Sequence, residues 1–524
     1  MRHVFRRSPR PLTCLVVASA LSAAPAFAGE PDELEAREVK LAELVISGGG
    51  AEDPKAPQPF GKQPRNFRLQ LERIRDMAAD PELDGVKLVV EGVPGFAKTL
   101  DLLTELEALK DAGKQIVCYT EMLSRGPLML ASMADHLVVP PSGMIALEGL
   151  SAEIMYYGDL LERLNVHAEV LHIGDFKTAY ENFSRNSMSD GQRASMGDIL
   201  DESYDQLIGL IAQNRDIPEV TVEGLFGRLM VDPADAVEAG LIDASAYADQ
   251  FDAQCEELFG GDVEIIKDYG DVTDEDIESL LESPFGMFTV MGELLNPKTP
   301  TTPTEPYLGV VYCSGAITSG KSASDFQGNV SSMGSETIVA ALDKLADDEN
   351  CKAVVLRVNS PGGSALASDM IWRAIERTKQ TKPVISSMGS VAASGGYWIS
   401  MGCNAIVAQP STLTGSIGVV SMVPDVHEAI EDLGVNVEVV ARGPHGDQLS
   451  ILANGPTQLL KDTITRSMLT TYDQFLSKVA EGRGLTKDRA HELAQGRVWT
   501  GRQAEEVGLV DTLGSFSDAM ALAS

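Results

Sequence analysis

Runs of Val, Ile and Leu four to six residues long recur along the chain, among them "AVVLRV" (353–358) and "PVISSM" (383–388). Their apolar residues do not alternate with polar ones, which predicts strands buried on both faces rather than half-exposed strands. Amphipathic stretches lie between them. In "SETIVAALDKLADD", Ile338, Ala341, Leu342 and Leu345 fall on one face of a helix. Repeated strand–helix units of this kind predict an α/β fold with mostly parallel sheets covered by helices. Ligands in such folds sit at the carboxyl ends of the strands. The segments "NSPGGS" (359–364) and "AASGGY" (392–397) both follow predicted strands, so both fall at that edge.

The same pattern occurs twice, at a spacing of about 268 residues. "GVKLVVEGVPGF" (85–96) parallels "AVVLRVNSPGGS" (353–364), and "DAVEAGLIDA" (235–244) parallels "QAEEVGLVDT" (503–512). The Pro/Thr-rich stretch "NPKTPTTPTEP" (296–306) cannot support a helix or a central strand and reads as a linker. The predicted organisation is a leader at 1–28, a first repeat domain at 38–266, a helical connector and linker at 267–306, and a second repeat domain at 307–524. Within the connector, "SPFGMFTVMGELL" (283–295) is too short to span a membrane and reads as a docking helix.

Composition narrows the function. The formal net charge is -35, which argues against nucleic-acid binding, because that needs a concentrated basic face. The N-terminus differs from the rest: Arg2, Arg6, Arg7 and Arg10 precede the short apolar run "LTCLVVASALSAA", and "AFA" (26–28) supplies the small residues of a cleavage site. This is the layout of a secretory signal, and it predicts export. Cys118, Cys255, Cys313, Cys351 and Cys403 are scattered without a C-x-x-C pair, so neither a disulfide framework nor a zinc site is indicated.

Ser394 stands between a predicted strand and a helix starting near Gly395, close to the free N–H groups and positive end of that helix. Its small neighbours let a substrate backbone approach. In "NSPGGS", Gly362 and Gly363 can turn N–H groups toward an oxyanion, and Asn359 and Gly395 complete the candidate oxyanion and substrate-binding set. Either glycine segment alone also fits a tight packing turn. A serine nucleophile needs a base. His445 is the one histidine in a suitable place, and the aligned position of the first repeat holds Lys177. The first-repeat partner of Ser394 is Gly126. Each repeat therefore lacks what the other has, which points to one composite site with Ser394 from the second repeat and Lys177 from the first.

"GDFKTAYENF", "RVNSPGGS", "SVAASGGYWIS", "STLTGSIGVV" and "GRVWTGRQAEEVGLVDTLG", in this order along the chain, resemble the signal peptide peptidase (protease IV) family in its long, duplicated form. The resemblance implies two tandem ClpP/crotonase-like domains and a Ser/Lys dyad that cleaves leftover signal peptides and other membrane-associated peptides. It makes Ser394 the nucleophile, Lys177 the general base, Ser416 a hydrogen-bond partner of the lysine, and Gly362 and Gly363 the oxyanion segment. It implies no cofactor and no metal, a homotetramer as assembly, and a periplasmic location at or near the inner membrane surface. For the mechanism, Lys177 must be buried and free of a carboxylate partner, since a solvated lysine stays charged near neutral pH. Two readings stay open beside this one. One is a Ser/His hydrolase using His445, and the other is a catalytically inactive peptide-binding scaffold.

Overall fold

Five parallel strands build the first sheet, in the order His136–Val138, Gln115–Tyr119, Gly85–Val90, Val39–Ile46, Val263–Ile266. The second half repeats the plan. Its sheet runs Tyr307–Ser314, Cys351–Ser360, Val384–Ala393, Ala405–Ala408, Thr512–Leu513, again parallel along this path. The computed structural model describes residues 38–48, 52, 66–270, 303–324 and 330–524. The leader and most of the connector, including 283–295, lie outside the described residues. No helix among the described residues is long and apolar enough to cross a membrane.

The helices repeat as well. Phe67–Ala79 corresponds to Ser335–Asp347, and the 26-residue helix Asp190–Arg215 corresponds to the 26-residue helix Gln458–Arg483. Local chemistry starts and stops them: Ser189 and Thr457 cap the two long helices through their hydroxyls. Asp216 and Gly484 end them in left-handed backbone. Strands Cys351–Ser360 and Val384–Ala393 are buried nearly throughout, as expected for runs without alternation.

The halves are not separately cored. Val355, Ile385, Val407, Phe516 and Ala519 of the second half belong to the same buried cluster as Leu88, Leu102 and Ile116 of the first. The C-terminal helix Phe516–Ala523 is thus part of the first half's core. A charged cluster crosses the same seam. Arg357, fully buried, pairs with Asp101 at 2.8 Å and Glu52 at 3.4 Å, and Lys98 pairs with Glu52 at 3.3 Å. Asp101 also accepts from Gln409 Nε2 at 2.6 Å and from the Phe516 N–H at 3.0 Å. Burial pushes the Glu52 carboxyl up, but the charges of Arg357 and Lys98 outweigh it and hold the group below the usual carboxylate range.

One further contact joins the halves. Strand His167–Ile173 of the first pairs antiparallel with Val419–Asp425 of the second, and Ile173 lies opposite Val419. The chain just after Ile173 therefore runs beside the chain just before Val419. The approach of Lys177 to the site follows from that register.

Candidate active site

Strand Val384–Ala393 changes partners along its length. Residues up to Ser387 pair with Ala405–Val407, whereas Val391–Ala393 pair with Leu413–Gly415. The ladder to Cys351–Ser360 slips at the same place, between Val358 and Ser360. Asn359 braces this irregularity, its Oδ1 accepting the Val391 N–H at 3.1 Å. Its amide oxygen is thereby tied to the backbone, so Asn359 shapes the strand end and its expected place in the oxyanion set is not what this contact serves.

Ser394 follows the bend, with φ 55° and ψ −115°. A non-glycine residue rarely adopts this backbone, and such strain concentrates where a side chain must be presented at a sharp strand-to-helix turn. Ala393 is paired with Gly415, and one residue further on Ser394 and Ser416 stand side by side. The Ser394 N–H donates to the Gly415 carbonyl at 2.8 Å. Ser416 also has left-handed backbone, φ 51°.

The cross-half strand pair brings in Lys177. It lies four residues beyond Ile173, and Ser416 lies three residues before Val419. The Lys177 Nζ is 3.0 Å from Ser394 Oγ, 2.9 Å from Ser416 Oγ and 2.7 Å from the Ser416 carbonyl oxygen. The side chain is 5 % exposed, and among the described residues no carboxylate lies within ion-pair reach of it. Burial lowers its pKa to about 8. A neutral amine fits these three neighbours: two N–H groups go to the Ser416 carbonyl and hydroxyl, and the lone pair faces the Ser394 O–H. An ammonium has no lone pair to offer.

Two backbone donors flank Ser394. The Gly395 N–H heads the short helix Gly395–Ser400 and has no acceptor among the described residues. In "NSPGGS" the Gly362 carbonyl accepts from the Ile317 N–H, and the Ser364 N–H donates to the Ile317 carbonyl. The Gly363 N–H points to the opposite edge of that segment and is likewise without an acceptor among the described residues. The Gly362 N–H differs from expectation, because it donates to Ser360 Oγ at 3.1 Å. Gly362 has another use here: a Cβ on it would lie 2.6 Å from the Gly395 nitrogen, so only glycine lets the two segments meet.

His445 sits elsewhere. It is exposed, on a turn with φ 61°, and its ring makes no hydrogen bond among the described residues. Gly126, the counterpart of Ser394, opens the helix Arg125–Ala131 in the first half.

The model of peptidase family S49 matches residues 108–260 and 376–524, and a Clp protease model matches 322–412. The chain belongs to peptidase family S49. It is 32% identical over 468 residues to Protease 4 of Haemophilus influenzae, covering 85% of this chain and 71% of that one. It is 33% identical over 520 residues to Protease 4 of Salmonella typhi, covering 95% and 79%. It is 30% identical over 461 residues to the chloroplastic serine protease SPPA of Arabidopsis thaliana, covering 85% and 63%. As an S49 member it is a serine peptidase with the α/β, mostly parallel, ClpP-like fold that its repeated pattern predicts.

Some of the machinery lies in or beside the quoted motifs without a role legible there. The Gln495–Gly496–Arg497 turn packs against Lys177: Phe176 N–H donates to the Gln495 carbonyl at 2.8 Å, and a Cβ on Gly496 would lie 2.4 Å from the Lys177 nitrogen. Gly496 is the first residue of "GRVWTGR", a glycine with no strand or helix to explain it, and that was the available cue. Arg357 left a similar trace, a charge inside "AVVLRV" that demands a buried partner.

Proposed function

We propose that this S49 peptidase is a Ser/Lys-dyad endopeptidase, with Ser394 as nucleophile, Lys177 as general base and Ser416 as the group that aims the lysine. The observation that carries this reading is the 3.0 Å approach of a buried, ion-pair-free lysine to Ser394 Oγ. Neutral Lys177 takes the Ser394 proton as Oγ attacks the peptide carbonyl carbon. The oxyanion forms against the Gly395 and Gly363 N–H groups. The lysine ammonium then gives its proton to the leaving amine, the C–N bond breaks, and an acyl-enzyme remains on Ser394. A water that loses its proton to Lys177 attacks the acyl carbon and frees the new carboxylate and the serine.

The substrate class that fits is an extended peptide with small or slender apolar side chains at the cleaved position, as in cleaved signal peptides and other membrane-associated or unfolded peptides. Gly362, Gly395 and Ala393, the small residues beside Ser394, let an extended peptide backbone come close to its hydroxyl. The leader at 1–28 supports export to the periplasm, and its cleavable layout does not favour a retained membrane anchor. Lys177→Ala and Ser394→Ala, each correctly folded, abolish cleavage of a synthetic signal peptide, and Ser394→Ala abolishes labelling by a fluorophosphonate. Unchanged turnover in Lys177→Ala sinks the dyad. Wild-type protein that neither cleaves nor labels restores the inactive scaffold reading.

Assembly into a homotetramer belongs to the same proposal. Helix Gly158–Arg163 corresponds to His427–Asp432, about 269 residues further on. By that offset the paired strands His167–Ile173 and Val419–Asp425 have counterparts at 436–442 and 150–156. Neither counterpart forms a strand within the single chain, and Met155, Val437, Val439 and Val440 are exposed on them. Pairing of 436–442 in one copy with 150–156 in the next is a heterologous contact that closes into a ring. Light scattering giving four copies supports this. A monomer that keeps full activity overturns it.

A further inference from the structure

The turn that seats Lys177 is itself held in place from behind. Gln495 and Gly496 are consecutive left-handed residues, φ 54° and φ 80°. Gln495 is not a glycine, so its conformation must be imposed by its partners. Those partners lie on both sides. Toward the site, the Gln495 carbonyl takes the Phe176 N–H at 2.8 Å, the Gly496 N–H donates to the Ile417 carbonyl at 2.8 Å, and the Arg497 carbonyl takes the Ser416 N–H at 2.7 Å. Three successive residues thus grip the neighbour of Lys177, the neighbour of Ser416, and Ser416 itself. Away from the site, the Gln495 N–H donates to the hydroxyl of Tyr472 at 3.2 Å.

Tyr472 lies on the long helix Gln458–Arg483 and is buried. Its hydroxyl oxygen, which accepts from the Gln495 N–H, is also within hydrogen-bond reach of the Nδ1 of His491, at 2.9 Å. We propose that Tyr472, backed by His491, is a positioning residue for the base: it fixes the Gln495–Gly496–Arg497 turn and thereby keeps Lys177 dry and aimed at Ser394. This rests on the reading of Lys177 as general base. Removing the hydroxyl leaves the Gln495 N–H without its acceptor, relaxes the strained turn, and opens the space that Gly496 seals against Lys177. Water then reaches the amine, and its proton is held to higher pH.

The groups on the elements packed around Lys177 do not supply a competing explanation. Asp175 lies two residues before it and Glu181 four after, and neither is within ion-pair reach of Nζ. His172, on the preceding strand, is exposed and bonds to the Gly174 carbonyl. The Arg497 guanidinium packs over Phe176 and pairs with Asp198. Burial is the cause of the lysine's low pKa.

The test compares wild type with Tyr472→Phe and His491→Ala, in the full chain, by two readouts. The first is the pH profile of kcat/KM on a signal peptide. The second, independent of turnover, is the pH dependence of Lys177 modification by dinitrofluorobenzene, followed by peptide mapping. Tyr472→Phe should move both midpoints upward by about one pH unit and lower kcat/KM about fivefold at pH 8, with KM unchanged. His491→Ala, at an exposed position and thus safe for folding, should shift both in the same direction by less. Midpoints identical to wild type in both variants overturn the positioning role. If Lys177→Ala turns over substrate like wild type, the base assignment falls instead, whatever Tyr472→Phe does.

Discussion

Ser416 offers Lys177 two acceptors, its carbonyl at 2.7 Å and its hydroxyl at 2.9 Å. The carbonyl survives any side-chain substitution, so Ser416→Ala removes one of two tethers and leaves the amine partly free to swing from Ser394. The expected result is a fall in kcat on the order of 10²-fold with KM little changed. Steady-state kinetics on a peptide substrate check it. A drop confined to KM means that Ser416 binds substrate rather than aiming the base.

On the proposed dyad, the protonation state of Lys177 sets the pH range of activity. Below about 8 the amine is charged and cannot take the Ser394 proton, and above it the amine is neutral. Accordingly kcat/KM rises through an acid limb centred near pH 8, and fluorophosphonate labelling of Ser394 follows the same curve. A limb centred near 6.5 indicates a histidine base instead.

Burying this lysine weakens the fold at neutral pH. Its pKa is 10.5 when unfolded and about 8 when folded, so between those values the unfolded chain binds more protons and stability rises with pH. Below pH 8 the full penalty applies, about 3 kcal/mol for the gap between the two values. Lys177→Met, which keeps the length and removes the charge, is therefore more stable than wild type at pH 7. The gain shrinks from pH 8 upward and is gone above 10.5, as denaturant titrations at several pH values will read.

Asp101→Asn leaves the Arg357 guanidinium buried with a weaker partner. The expected loss of stability is about 3–5 kcal/mol. Because Asp101 also takes N–H groups from Gln409 and Phe516, that loss includes loosening of the two halves. Asp343→Ala, which breaks the exposed pair with Arg377, is the control and should barely move the unfolding midpoint.

His445→Ala leaves turnover unchanged, since an exposed side chain on a turn has no route to Ser394. Loss of activity in a folded His445→Ala protein brings the Ser/His reading back.

The layout of strands and helices was legible because apolar runs and helical faces are properties of neighbouring residues. Ser394 stood out for the same reason: small residues, a strand before it and a helix after it. Lys177 was legible through the duplication, which exposed a lysine against a histidine and a glycine against a serine, and through the motif "GDFKTAYENF". What could not be read was the detail of contacts between elements distant in the chain. No local pattern says that Ile173 lies opposite Val419, that Tyr472 reaches the Gln495 N–H, or that Arg357 meets Asp101. The oxyanion segment shows the limit most sharply. "NSPGGS" announces two glycines, but which N–H is free depends on Ser360 turning its hydroxyl onto Gly362.

Strand exchange between the halves also governs when activity first exists. Lys177 emerges from the ribosome early, Ser394 and Ser416 much later, and the Gln495–Gly496 turn that seats the lysine about a hundred residues after Ser394. A nascent or truncated chain has the nucleophile without its base held in place, and an isolated half has one without the other. On the proposed dyad, cleavage activity therefore arises only once both halves have folded against each other.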